Sequence, residues 1–185
     1  MKTLFLSAAV AVAATAASTP ASAGLVSIGN STARDCYEAA VARSADRNSF
    51  YHCNVALDQE GLSPQDRAAT LVNRGALYLR GHDYRSAGRD FDAALKTDSN
   101  NAEAWLNLAI VSLQQGGSTD AMPMIEKSLA LNTERQALAY YSRAIANERM
   151  GQIRAAYADY LHAHDLAPAW REPTEDLKRY VVHRR

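Results

Sequence analysis

LVNRGALYLRGHDYRSAGRDFDAALKTDSN, residues 71–100, decides the fold, because its spacing of large and small side chains returns twice more along the chain. Leu71, Gly75, Ala87, Phe91 and Ala94 are followed 34 residues on by Trp105, Ala109, Ala121, Ile125 and Ser128. A further 35 residues bring Tyr140, Ala144, Ala156, Tyr160 and Ala163. The order is large, small, small, aromatic or branched, small in all three copies. A unit this short cannot bury its apolar face alone, so each copy must stack on the next.

Within a copy the pattern reads as two short helices. Leu71, Gly75 and Tyr78 fall on one helical face, Gly81 and His82 interrupt it, and Asp83 offers a short acceptor to the free N–H groups of a second helix. That helix carries Ala87, Phe91, Ala94 and Leu95. The second copy turns at Gln115-Gly116-Gly117 and is expected to restart with Ser118 as its N-cap; the third turns at Gly151 and restarts near Gln152. Small residues let the paired helices approach: Gly75 is expected against Ala87, Ala109 against Ala121 and Ala144 against Ala156, with Phe91, Ile125 and Tyr160 filling the space beside them. Pro123 stands inside the second helix of the second copy, and since proline suits a first turn but not a helix interior, that helix is expected to begin late.

In these residues the chain resembles the tetratricopeptide repeat family. The third copy keeps Tyr140, Ala144, Gly151, Ala156, Tyr160, Ala163 and Pro168 of that pattern, and the first keeps Gly75, Tyr78, Tyr84, Ala87, Phe91 and Ala94. Ser99 and Thr133 stand where the closing proline would be, and Ser112 and Asn147 replace the tyrosine. The resemblance covers residues 68–170 and implies an all-α, right-handed solenoid of helical hairpins whose first helices line a concave groove. Its repeats would span 68–101, 102–136 and 137–170, flanked by a degenerate helix pair at 35–60 and a capping helix at 173–183.

The N-terminal segment has a different character. One charge, Lys2, precedes an apolar run over residues 4–17, and Ala21-Ser22-Ala23 offers small residues to a peptidase. This is the pattern of a cleaved secretory leader, residues 1–23, followed by a linker at 24–34; the apolar run is shorter than the ~20 residues a membrane span requires. Export, to a periplasm if the source is bacterial, is the expectation, with no stable membrane insertion. Cys36 and Cys53 both follow the expected cut, and an isolated pair in an exported chain reads as a disulfide. Thr32-Ala33-Arg34-Asp35 has capping-box form, and Phe50, Val55 and Leu57 belong to a second helix after a polar turn at 44–49, so the bridge would staple an antiparallel pair and contribute about 3 kcal/mol. Ser63-Pro64-Gln65-Asp66 carries the signals of a helix start, and Pro173-Thr174 introduces a last amphipathic helix with Leu177, Tyr180 and Val181 on its apolar side.

Charge and motifs exclude several functions. With 20 basic and 20 acidic residues the chain lacks the positive excess of a nucleic-acid binder. No nucleophile elbow, zinc-protease helix, phosphate loop or paired-cysteine zinc pattern is present, so no enzyme, metal or cofactor is expected. His162 and His164 are two apart and would point to different sides of a helix.

What remains is a wall. Ala69, Val72, Asn73, Ala76 and Arg80 form one helical stripe, which the period carries to Glu103, Leu106, Asn107, Ile110 and Gln114, and then to Leu138, Tyr141, Ser142, Ile145 and Arg149. Under the geometry the resemblance implies, these residues face inward, with amides to hold a peptide backbone between apolar side chains. Trp105 to Leu113 is apolar nearly all round, which means deep burial or a waiting ligand. The expected function is a non-enzymatic scaffold that binds a protein or peptide in this groove; the alternative is self-assembly of the chain into homo-oligomers.

Overall fold

A computed structural model describes residues 31–42 and 45–180. The expected leader, most of the linker and Val181 lie outside these residues. Among them are nine helices: α1 (Thr32–Val41), α2 (Arg47–Gln59), α3 (Pro64–Arg80), α4 (Tyr84–Thr97), α5 (Ala102–Gln114), α6 (Ser118–Ala130), α7 (Gln136–Arg149), α8 (Ile153–Leu166) and α9 (Arg171–Leu177). They pair as hairpins α1–α2, α3–α4, α5–α6 and α7–α8, and α9 packs on α8. Adjacent hairpins are joined by α2 on α3, α4 on α5 and α6 on α7.

Each first helix also packs on the next first helix, α1 on α3, α3 on α5 and α5 on α7, while no comparable packing joins α4 to α6 or α6 to α8. In a stack of hairpins the side where successive helices touch is the inside of the curve. The array therefore bends with α1, α3, α5 and α7 along its inner wall.

Four of the five repeated columns form the core. A Cβ added at Gly75 would lie 2.5 Å from a Phe91 ring carbon, and its three nearest atoms all belong to that ring. Gly75 thus makes room for Phe91 itself, where the sequence had suggested Ala87. Ala109 and Ile125 share one apolar cluster, and Ala144, Ala156 and Tyr160 another. The apolar helix α5 is deeply buried: Ala104, Leu106, Ala109, Val111 and Leu113 are all shielded from solvent, so its hydrophobicity serves packing on both sides.

Helix ends follow their cap chemistry, with several departures from expectation. Asp83 accepts from Ser86 N at 3.0 Å and Ser63 from Asp66 N at 3.1 Å, with Pro64 opening α3. Helix α1, however, is capped by Ser31; Thr32 is its first residue, inside the span expected to be linker, and its N–H and hydroxyl both go to Glu60. Helix α2 starts at Arg47, within the expected polar turn, because Asp46 caps it through Ser49 N at 2.8 Å. Helix α6 takes Gly117 as N-cap, with Ser118 already helical. Pro123 does not delay that helix. It sits on the exposed side in the sixth position, where Thr119 loses its partner N–H next to solvent while Ala121, Ile125 and Ser128 hold the opposite face in the core. The capping helix runs Arg171–Leu177, earlier than the expected 173–183, and Pro173 falls in its first turn.

The left-handed residue that follows the first helix of each of the three repeat copies recurs in one column: His82 (φ 60°), Gly116 (φ 86°) and Gly151 (φ 76°). The first copy therefore places a histidine where the other two use glycine; Gly81, the apparent breaker in the sequence, keeps an ordinary φ of −77°.

Candidate functional site

The inner wall is the candidate site, and its residues divide by what already engages them. Leu106 is 0 % exposed, Asn107 2 % and Ser142 3 %, so these three stripe residues present no surface to a ligand. Two more join the ends of neighbouring helices: Arg80 donates to the carbonyl of Ala40 at 3.2 Å, and Arg149 to the carbonyl of Leu113. Cations belong at helix C-termini, where carbonyls lack partners. Glu103 is committed at the opposite edge, where it accepts from the Thr133 hydroxyl, from Glu134 N and from Arg135 Nε and so ties the start of α7 to α5. A hydrophobic stripe read from sequence does not distinguish side chains that face a ligand from those that face the next hairpin.

Tyr141 is drawn towards the chain's own end. Its hydroxyl donates to Asp176 at 2.8 Å, and its ring lies 4.7 Å from that of Trp170. Burial and the Asp176 carboxylate together hold the phenol well above its usual pKa. A cleft of about 550 Å³ opens beside it, lined by Trp170, Arg171, Glu172, Glu175 and Asp176. Val72, Asn73, Ala76, Ile110, Leu138 and Ile145 are half-buried and Ala69 and Gln114 are exposed; these eight are the part of the stripe that remains accessible.

Two ion-pair clamps on the same column escaped the sequence reading. Arg74 donates through Nε and Nη2 to Asp90, both at 2.8 Å, and through Nη1 to Asn54 at 2.8 Å. In the third hairpin Arg143 donates to Asp159 at 2.9 and 2.7 Å, and Asn147 adds a bond to the same carboxylate at 2.9 Å. The hydrogen bonds to Asp90 and Asp159 hold each guanidinium above its usual pKa. The middle copy has Leu108 and Met124 in these columns. The signal was available: an arginine and an aspartate 16 apart, at the same place in the first and third copies. The clamp of the third hairpin forms part of the lining of an outer-face cleft of about 690 Å³ between α6 and α8, with Met122, Pro123, Met150 and Ala158.

Cys36 and Cys53 are joined in a disulfide with Cα atoms 4.7 Å apart, both fully buried against Leu77, Ala40 and Phe50. Among the described residues no group of three or more His, Cys, Asp or Glu side chains could hold a metal ion, and no helix is long and apolar enough to cross a membrane.

No family model matches the chain. Superkiller complex protein 3 of Homo sapiens is 29 % identical over 89 residues, which is 48 % of this chain and 6 % of that protein. Protein O-mannosyl-transferase TMTC3 of Homo sapiens is 31 % identical over 90 residues, 48 % of this chain and 10 % of that protein. The chain thus spans a tenth or less of the length of these curated relatives. Solved structures cover far more. MamA residues 41 to the end, from Desulfovibrio magneticus RS-1, superimposes with a TM-score of 0.64 at 22 % identity over 80 % of this chain and 82 % of that one. The Arabidopsis OM64 TPR domain gives 0.59 at 22 % over 63 % and 96 %. YrrB, described as a TPR protein with an unusual peptide-binding site, gives 0.58 at 15 % over 79 % and 72 %.

Proposed function

With the tetratricopeptide-repeat fold as premise, we propose that this chain is a non-enzymatic scaffold that holds a polypeptide segment against its inner wall, after export to the cell envelope and removal of residues 1–23. The observation that carries the reading is the run of accessible apolar side chains, Val72, Ala76, Ile110, Leu138 and Ile145, repeated at the hairpin period along three neighbouring helices with Asn73 and Gln114 between them. Apolar side chains alternating with amides suit a backbone with large side chains on one edge. YrrB, a TPR protein with an unusual peptide-binding site, supports the reading through shared architecture.

The test is a display selection of peptides on the mature, oxidised protein, followed by calorimetric titration of the best binder. Ile110→Glu and Ile145→Glu should each weaken binding at least about tenfold, the effect of placing a charge in a desolvated contact. Lys127→Glu on the outer surface of α6 should leave affinity unchanged. A selection without binders, or binders indifferent to both inner-wall changes, overturns the proposal. Export is tested separately: N-terminal sequencing of the protein from its source should begin at Gly24.

Ile153, Leu161 and Leu166 on α8 are exposed large apolar side chains at one end of the array, and they favour self-association as a second reading. Sedimentation velocity decides it, since a monomer at all concentrations removes the idea.

A further inference from the structure

Arg80 and Arg149 occupy the same column of the repeat, and each donates to a carbonyl near the end of the preceding inner helix. Arg149 reaches Leu113 of α5; Arg80 reaches Ala40 of α1. The shared contact sets Ala40 in register with Leu113, so Tyr37 and Val41 stand where α5 has Ile110 and Gln114. The first hairpin, too degenerate for its columns to be aligned by sequence, is thereby placed in the same frame as the others. Tyr37 is 46 % exposed and Val41 63 %, both large and apolar on a helix that borders the inner wall.

The hold of α1 on the array is narrow. Its ten residues bury one side chain, Cys36, and a helix shorter than about 12 residues is marginal without tertiary support. Besides the disulfide, its anchors include Thr32 on Glu60, Asp35 beside His52 at 3.5 Å, Ala40 packed with Phe50 and Leu77, and the Arg80 bond to Ala40. We propose that α1 is a detachable fourth rung of the groove, on which Tyr37 and Val41 receive an apolar part of the bound segment, and that the Cys36–Cys53 disulfide determines whether the rung is in place. This rests on the groove reading above and adds to it both a contact and its regulation.

The redox step needs a dithiol reductant. One of its thiolates attacks a sulfur of the bridge, releasing one cysteine and forming a mixed disulfide with the other; its second thiol then displaces that bound cysteine. Two electrons and two protons end on Cys36 and Cys53, and the reductant leaves as a cyclic disulfide. Reduced, α1 keeps its polar tethers and the small apolar contact of Ala40 with Phe50 and Leu77, its amides open to solvent, and the wall shortens to α3, α5 and α7.

The probe is the display-selected peptide, titrated against full mature protein in oxidised form, after dithiothreitol, and as the Cys36→Ser/Cys53→Ser variant. Tyr37→Ala and Val41→Asp in the oxidised protein should each raise Kd by about fivefold or more, and reduction should do the same. Hydrogen exchange should show residues 32–41 losing protection by on the order of a hundredfold on reduction, with α3 to α8 unchanged. If Ile110→Glu abolishes binding while Tyr37→Ala and Val41→Asp leave it intact, the groove stands and the fourth rung is refuted. If thiol titration finds two free cysteines and α1 keeps its protection, the switch is refuted. A selection that yields no peptide overturns both readings together.

Discussion

His82 holds a φ of 60° at the column where the later copies have Gly116 and Gly151. A β-carbon in the left-handed region costs roughly 1 kcal/mol, so His82→Gly should raise the unfolding free energy by about 0.5–1 kcal/mol, less what is lost with the 3.0 Å contact between His82 Nδ1 and the Tyr84 hydroxyl. Urea titration with an unchanged m-value would verify it; a loss of stability would show the Tyr84 contact to dominate. Gly75 predicts the opposite sign. Its added methyl would meet Phe91 at 2.5 Å, inside any real carbon contact, in a fully buried place. Gly75→Ala should cost about 1–3 kcal/mol by overpacking despite alanine's better helix propensity, and Phe91→Leu in the same chain should restore part of it. The repeated small residue at this column was legible in the sequence. Its partner was not, because a period fixes which residues are equivalent and leaves open which of two nearby side chains fills the space.

At the level of the helix pair, the clamps of the first and third hairpins turn a difference between copies into a measurement. Asp159 has a side chain only 9 % exposed and takes three hydrogen bonds, two from Arg143 and one from Asn147. Arg143→Leu alone leaves that carboxylate half-satisfied in a shielded place, and should cost about 3 kcal/mol. Arg143→Leu with Asp159→Met writes the middle copy's Leu108 and Met124 into the third, and should recover most of the loss; a double variant no more stable than the single would mean that the ion pair does more than satisfy itself. Helix identities and most starts were readable, since Asp83 and Ser63 announce their helices through cap chemistry. Pro123 misled because the sequence shows the missing N–H but not the face on which it is missing, and on an exposed face water takes its place. The inner stripe was legible as a period. The burial of Leu106, Asn107 and Ser142 was not, because it depends on how closely α5 and α7 approach, a distance set by the curvature of the whole stack.

Across the whole molecule, the two ends of the array are closed by different means, a covalent staple at α1–α2 and a polar seal at α9. The seal consists of Tyr141 on Asp176, Tyr160 on Glu148 at 2.8 Å, Arg179 on both carboxylates, and Trp170 against Tyr141. Burial, helped by Glu148, raises the Tyr160 phenol as Asp176 does that of Tyr141, so both stay protonated in the folded chain when tyrosines of the unfolded chain ionise near 10.0. A raised folded pKa contributes stability that is complete below the unfolded value and declines as pH climbs past it. Glu148 has the opposite sign: burial pushes it up, but bonds from Arg179 and Tyr160 outweigh this and leave it below the ordinary 4.5, so its contribution is complete above that value and lost in acid. Melting temperature should therefore fall on both flanks, above pH 10 and below about pH 4.5. A chain ended after Pro168 lacks Trp170, Asp176 and Arg179, and in a repeat array such a loss stays near its site. Its α7 and α8 amides should exchange faster while α3 to α6 keep their protection, and its alkaline flank should be shallower than that of the full chain. Uniform loss of protection from α3 to α8 would instead make the array one cooperative unit, in which the seal supports every hairpin equally.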